Sequence, residues 1–159
     1  MVYLAITAAV FGLDCIVKKK IEKEKELNVT EEIANGRILL RRTNNSGMAF
    51  GIFRKNPQRV KGLHNLAIGM MCLSDIVLLT KKGCSAAKAG MSLILGGGLS
   101  NWYDRYRQGY VTDYFSFSCK WKKLEKIVFN LSDLFIFTGV VLFGCSQLFG
   151  RETKEGKQK

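Results

Sequence analysis

The stretch AAKAGMSLILGGGLSNWY, residues 86–103, decides the fold class of this chain. Three consecutive glycines would be costly inside a helix of a soluble protein, whereas small residues allow helices to approach closely in a lipid bilayer. The stretch is nearly long enough to cross a hydrocarbon core, and it ends in aromatic residues, which favour the membrane–water interface. It therefore predicts a membrane-spanning helix.

Three other apolar blocks accompany this stretch, at residues 2–17, 63–80 and 127–149. We therefore predict an all-α membrane protein with four transmembrane helices, in which residues 1–159 form a single integral-membrane domain with a charged tail at 151–159. A soluble helical protein with buried core helices is the alternative. It is disfavoured because the blocks are long and apolar around their whole circumference.

The charge balance points to a membrane surface. Lys and Arg total 25 against 13 Asp and Glu, which gives a formal net charge of +12. Such a chain has either nucleic acid or anionic lipid as a neighbour, and we find no nucleic-acid-binding motif. We expect contact with membrane phospholipid and no nucleic-acid partner. The five cysteines form no C-x-x-C pair and there is one histidine, so we expect no metal site and no cofactor.

The number of predicted helices places both chain termini on one side of the membrane. Lys81, Lys82 and Lys88 follow the second block and further basic residues end the chain, which favours a cytoplasmic location for both termini. The first and third connections are also basic. Within the first connection, residues 36–53 have the pattern of a short strand and a turn.

Acidic residues in or beside apolar helices are costly and usually functional. This chain has four of them, namely Asp14, Asp75, Asp113 and Asp133. If the third helix runs outward and the fourth returns, Asp113 and Asp133 lie near the same membrane surface. Two adjacent carboxylates can share one proton and activate a water for peptide hydrolysis. The same two residues could instead be helix caps or could pair with Arg105.

Sequence motifs distinguish between these interpretations. Residues 13–18 (LDCIVK) are similar to L-D-x-x-x-K and residues 45–50 (NSGMAF) to N-x-G-x-A-F. Residues 97–105 (GGLSNWYDR) and 109–114 (GYVTDY) together match G-G-x-x-N-x-x-D-R…G-x-V-x-D-[FY], and residues 129–133 (FNLSD) are similar to F-N-x-A-D. In this order, the four motifs resemble those of lipoprotein signal peptidases (signal peptidase II).

The resemblance implies an intramembrane aspartyl endopeptidase with Asp113 and Asp133 as its catalytic carboxylates. Such an enzyme removes signal peptides from lipid-modified prolipoproteins by cleaving on the N-terminal side of the diacylglyceryl-modified cysteine. The resemblance also implies supporting or substrate-binding roles for Asp14, Lys18, Asn45, Gly47, Asn101, Arg105 and Asn130.

The family also implies a location and two small structural elements outside the bundle. The location is the bacterial plasma (inner) membrane, and we expect a monomer. Residues 36–53 fit the family's small extracytoplasmic β-cradle, and residues 115–126 fit a short periplasmic gating helix.

Some positions depart from the family pattern. Ser132 stands where the family usually has Ala, and we expect its hydroxyl beside the reactive water; Cys15 stands where Gln is frequent. These departures leave open a non-catalytic lipoprotein-binding paralogue, and the intramembrane acids leave open an ion or solute pathway. We expect His64 to be an interfacial residue and Asp104 to pair with Arg105 or another basic neighbour.

Overall fold

The computed structural model describes residues 1–47 and 56–155. Its elements, in chain order, are α1 (Val2–Glu24), β1 (Thr30–Ile33), β2 (Ile38–Asn45), α2 (Pro57–Thr80), α3 (Ser85–Gln108), β3 (Val111–Phe117), α4 (Lys122–Glu125) and α5 (Leu131–Glu155). Four of the helices are long and α4 is a single turn. The mostly helical architecture with a small sheet agrees with the predicted fold class.

Helix α3 lies at the centre of the bundle, packed against α5, α1 and α2. The α3–α5 crossing depends on a pair of glycines. A Cβ atom at Gly90 would lie 2.8 Å from the carbonyl oxygen of Gly139, and one at Gly139 would lie 2.6 Å from the carbonyl oxygen of Gly90. The two backbones are therefore in direct contact, as small residues at a helix interface allow.

The three consecutive glycines of α3 bring its other neighbours close. A Cβ atom at Gly96 would lie 2.8 Å from the carbonyl oxygen of Thr7 in α1, and one at Gly97 would lie 2.7 Å from that of Ser132 in α5. Gly98 faces α2 with slightly more room. The expected close packing around these glycines is confirmed.

The helix boundaries differ from the predicted ones. Helix α1 continues to Glu24 instead of ending at residue 17, because the Lys- and Glu-rich run that follows consists of good helix formers. Helix α2 begins at Pro57 instead of residue 63. The side chain of Asn56 accepts a hydrogen bond from the backbone N–H of Arg59 at 3.3 Å, and proline suits the first helical position.

Two helical segments among the described residues, Gln58–Thr80 and Leu131–Leu148, are long and apolar enough to cross a membrane. Only 6% and 11% of their apolar windows are buried, so their apolar side chains point outward. This is the opposite of a soluble core helix, whose apolar face is covered. Membrane crossing by α1 and α3 stays a prediction.

The small sheet has the antiparallel order β1-β2-β3. The predicted strand is confirmed over Ile38–Asn45, while residues 48–55 lie outside the described part of the chain. Strand β3 was not predicted, and it corrects the position of Asp113, which lies within a strand and not just past a helix end. Gly109 ends α3 with a φ of 86°, and the β-branched and aromatic residues that follow favour a strand.

Strand β3 also corrects the expected gating segment. The first residues of 115–126 belong to the strand, and only α4 is helical within it. A gating role for this segment stays a prediction.

Gly139→Ala should destabilise the bundle by about 1–3 kcal/mol, because the new methyl group would force α3 and α5 apart. Gly144→Ala is the matched control in the same helix, since a Cβ atom there would meet nothing within 4 Å. Thermal unfolding in detergent measures both. Equal midpoints for the two variants would contradict the close crossing.

Candidate active site

The site is built around the buried ammonium group of Lys18. Lys18 lies one helical turn after Asp14 in α1, and its side chain is 2% exposed. Its Nζ lies 2.7 Å from Asp14 Oδ2 and 3.0 Å from Asp104 Oδ2 of α3, and it donates a 2.8 Å hydrogen bond to Asn101 Oδ1. A charge this deeply buried requires such partners. Asp104 was expected to pair with Arg105 or another basic neighbour, and the structure shows the second alternative, since its partner is Lys18.

Asp14 connects α1 to three other elements. Its carboxylate accepts hydrogen bonds from Ser100 Oγ of α3 at 2.6 Å and from Tyr114 Oη of β3 at 3.4 Å. It also accepts from the hydroxyl and the backbone N–H of Ser132 in α5. The Ser132 hydroxyl is therefore committed to Asp14. The expected position of this hydroxyl beside the reactive water stays a prediction.

Asparagine side chains hold both predicted catalytic carboxylates. Asp113 Oδ2 accepts a 2.9 Å hydrogen bond from Asn45 Nδ2, and its Oδ1 accepts a 2.7 Å bond from Asn130 Nδ2. Asp133 Oδ1 accepts a 3.3 Å bond from Asn101 Nδ2. Because Asn101 Oδ1 also accepts from Lys18 and from Asn130 Nδ2, one network joins the ammonium group to both carboxylates.

The start of α5 fixes Asp133. Asn130 immediately precedes the helix, and its Oδ1 accepts a 3.0 Å hydrogen bond from the backbone N–H of Asp133. In return, Asp133 Oδ2 accepts a 3.0 Å bond from the backbone N–H of Asn130. This is a reciprocal capping box, in which a carboxylate at the helix start is also favoured by the helix dipole.

Two expectations about Asn130 change as a result. The predicted block begins at residue 127, whereas the helix begins at Leu131 and Asn130 is its cap. The interpretation of Asp133 as a helix cap is confirmed for Oδ2, which accepts from the backbone N–H of Asn130. Its Oδ1 is not part of the cap and accepts from Asn101. Asn130 also reaches Asp113, which the spacing alone did not indicate.

The Asp113 carboxyl is suited to proton transfer near neutral pH. Its pKa is raised to about 7, first by burial and then by the negative charge of Asp133. The hydrogen bonds from Asn45 and Asn130 act in the opposite direction, because they stabilise the ionised form. The two carboxyl groups are neighbours, because Asn130 contacts both of them.

Arg105 is bound to backbone and to a ring nitrogen. Its guanidinium donates to the carbonyl oxygens of Gly47 at 2.8 Å and Asn101 at 3.2 Å, and it contacts Nδ1 of His64 at 3.3 Å. No ion pair joins Arg105 to Asp113 or Asp133 within residues 1–47 and 56–155. The predicted supporting residues Asp14, Lys18, Asn45, Gly47, Asn101, Arg105 and Asn130 all lie in this connected network.

Three residues of the network were missed from the sequence. Ser100 and Tyr114 both bind Asp14, and His64 contacts Arg105. Ser100 lies four residues before Asp104, so helical spacing could have placed it on the inward face of α3. Tyr114 occupies the aromatic position of the 109–114 motif, which marks the residue but not its partner Asp14. No sequence signal marks His64, because its partners are distant along the chain. Asp75 is buried in α2 without contact to this network.

Solved structures define the class of the fold. Two described as bacterial membrane enzymes superpose with TM-scores of 0.80 and 0.76, each at 19% identity. The first likeness covers 99% of this chain and 93% of that chain, and the second covers 92% of each. The fold is therefore that of a mostly helical membrane protein with a small sheet, and its buried site holds a pair of carboxyl groups.

Sequence comparisons define the family. The family model described as Signal peptidase (SPase) II matches residues 6–149. The lipoprotein signal peptidase of Clostridioides difficile (strain 630) is 31% identical over 94% of this chain and 96% of its own length. That of Mesorhizobium japonicum (strain LMG 29417 / CECT 9101 / MAFF 303099) is 31% identical over 98% and 91%. The chain belongs to the signal peptidase II family of peptidases, and the resemblance found in its motifs is confirmed.

Lys18→Met should destabilise the protein by about 3–5 kcal/mol, because it leaves the Asp14 and Asp104 carboxylates buried without their cation. Lys20→Met removes an exposed lysine of the same helix and should have little effect. Thermal unfolding in detergent compares the two. A similar small change in both variants would contradict the central position of Lys18.

Proposed function

We propose that this protein is a signal peptidase that removes signal peptides from diacylglyceryl-modified prolipoproteins, using Asp113 and Asp133 to activate a water. The observation that carries the proposal is the position of Asn130 between the two acids. Its side-chain amide donates to Asp113 and its backbone N–H donates to Asp133. One residue thereby holds both carboxylates at the start of α5.

The chemistry follows from the shared environment of the two acids. In the proposed mechanism the pair carries one proton near neutral pH, and Asp113, whose pKa is raised to about 7, carries it. Asp133, held by a backbone N–H at a helix start, is then the base that takes a proton from water. The resulting hydroxide attacks the scissile carbonyl, and Asp113 protonates the leaving amine. Cleavage would occur on the N-terminal side of the lipid-modified cysteine.

The other network residues have supporting roles in this proposal. Asn45 and Asn101 orient one carboxylate each. Lys18 supplies positive charge behind Asn101, and Asp14 holds Lys18 in place. Arg105 fixes the backbone carbonyl of Gly47 beside Asn45, which keeps the end of β2 against Asp113.

We also propose a placement in the membrane. The whole chain forms one domain with four transmembrane helices, and it acts as a monomer in the bacterial inner membrane with both termini cytoplasmic. The outward-facing apolar side chains of α2 and α5 and the basic chain end support this placement. The sheet would then lie on the extracytoplasmic side, together with the two acids.

Asp113→Asn and Asp133→Asn should each lower the cleavage rate of a lipidated prolipoprotein by more than about a thousandfold. Asparagine preserves the size of the side chain and an acceptor oxygen, so both variants should stay folded. A gel-shift assay on purified protein and lipidated precursor measures the cleavage. Because no metal takes part, cleavage by the wild type should also be insensitive to chelators.

Asp75→Asn is the matched control, because it makes the same chemical change at a buried acid outside the network. It should cleave at the wild-type rate. Full activity in either dyad variant would contradict the proposal. A wild-type protein that binds the lipidated precursor but never releases a signal peptide would be a non-catalytic lipoprotein-binding protein instead.

Asn45→Ala should move the alkaline limb of the kcat/KM profile upward by roughly half a pH unit to one unit. The Asn45 amide stabilises the ionised form of Asp113, so its removal raises the pKa of Asp113 and keeps the proton on that acid to higher pH. Asn44→Ala is the control, because successive side chains of a strand point to opposite faces. An unchanged or lowered alkaline limb would contradict the role of Asp113 as the acid.

A further inference from the structure

His64 is the single histidine of the chain, and its ring is held between two groups of α3. Its Nε2 lies 3.2 Å from the carbonyl oxygen of Gly98. Its Nδ1 lies 3.3 Å from Nη1 of Arg105. Both ring nitrogens therefore have partners, although His64 itself lies in α2.

These partners determine the protonation state of the ring. A guanidinium has donors and no acceptor, so Nδ1 of His64 must accept the hydrogen bond from Arg105. Nε2 then carries the hydrogen and donates it to the Gly98 carbonyl. The contact therefore requires neutral imidazole. A protonated ring would place an N–H against the N–H of Arg105 and add a second positive charge beside it.

A continuous chain of hydrogen bonds leads from this contact to Asp113. Arg105 Nη2 donates to the carbonyl oxygen of Gly47 at 2.8 Å. The backbone N–H of Gly47 donates to Asn45 Oδ1 at 3.0 Å, and Asn45 Nδ2 donates to Asp113 Oδ2 at 2.9 Å. A shift of the Arg105 guanidinium would therefore move Gly47 and Asn45, and through them change the hydrogen bond to the Asp113 carboxylate.

We propose that His64 is a positioning residue that holds Arg105 on Gly47 only while its ring is neutral, so that protonation of His64 disengages the support of Asp113. The proposal rests on the peptidase activity proposed above. It gives this peptidase an acid-sensitive element separate from the two catalytic acids.

Charged groups around the ring are consistent with this function. Among the described residues, α2 packs against α3, and Arg105 is the charged group that contacts His64 from that helix. The acids Asp113 on β3 and Asp133 on α5 are reached through Arg105 and Asn101. Arg105 is 8% exposed, so solvent screens its repulsion with a protonated ring only weakly.

A purely structural role for His64 is the competing interpretation, and the neighbouring residue provides its control. Asn65 also joins α2 to α3, since its Oδ1 accepts a 2.7 Å hydrogen bond from Trp102 Nε1. Trp102 has no part in the network around the two acids. Asn65→Leu therefore removes a helix–helix hydrogen bond of the same kind without touching Arg105.

The test measures kcat and KM for a lipidated precursor from about pH 3.5 to about pH 8, because a buried ring beside a guanidinium protonates below the ordinary histidine range. It compares four proteins: wild type, His64→Gln, His64→Leu and Asn65→Leu. The amide of Gln can accept from Arg105 and donate to Gly98 but does not titrate. We expect His64→Gln to keep the wild-type kcat at neutral pH and to lose at least about threefold less activity on acidification. His64→Leu should lower kcat about tenfold at neutral pH with little change in KM, and its deficit should shrink on acidification, where the protonated wild-type ring loses the same support.

Two results would overturn the proposal. One is an acid limb in His64→Gln that coincides with that of the wild type. The other is an equal loss of kcat in His64→Leu and Asn65→Leu, which would make His64 a structural contact between helices. Since His64→Gln keeps both hydrogen bonds, it remains informative even if His64→Leu does not fold.

A measurement that needs no catalysis separates this proposal from the proposed function. Nitrogen NMR of the wild-type protein, labelled at its single histidine, reports the tautomer directly. The hydrogen on Nε2 at neutral pH supports the contact with Arg105, whereas a hydrogen on Nδ1 or a protonated ring overturns it. If the wild type cleaves no precursor at any pH, the peptidase proposal fails and this spectrum still decides the contact of His64.

Discussion

The buried ammonium group of Lys18 is the constraint on which the rest of the site depends. It is paired with Asp14 of its own helix and with Asp104 of α3, so a charged group crosses the α1–α3 interface at a depth where water does not compete. The partners of Asp14 extend this link to β3 and α5. Four elements thus meet around one cation. Removing a single partner of such a cluster leaves an uncompensated charge, which makes its geometry strict.

Neutral amides carry this geometry from the cation to the two acids. Asn101 accepts from Lys18 and donates to Asp133, while Asn130 and Asn45 donate to Asp113. An amide side chain is both donor and acceptor, so it can stand between a cation and a carboxylate, or between two carboxylates, without adding charge. The acids are therefore oriented by groups that do not suppress their titration as a direct ion pair would.

Much of this arrangement was predictable, because helices and motifs are local in sequence. The apolar blocks located the long helices, and the motifs singled out Asp113, Asp133 and all seven supporting residues. The errors and the open alternatives arose where tertiary contacts decide the outcome. Asp113 lies in β3 because that segment pairs with β2, and Asp104 pairs with Lys18, which is distant along the chain. Helix starts at Asn56 and Asn130 depend on caps, which apolar periodicity does not reveal. His64 could not be placed, because its ring is defined only by the contact between α2 and α3.

The glycine crossing of α3 and α5 determines where an acyl chain could enter between the helices. At Gly90 and Gly139 the two backbones touch, so no acyl chain fits between these helices at that level. Elsewhere on the bundle, residues of α1 and α3 such as Phe11 and Leu99 line an apolar groove of about 370 Å³. The bundle surface is therefore closed where α3 crosses α5 and grooved where α1 packs against α3. In the proposed membrane placement, lipid tails would meet an asymmetric surface that is closed where α3 crosses α5.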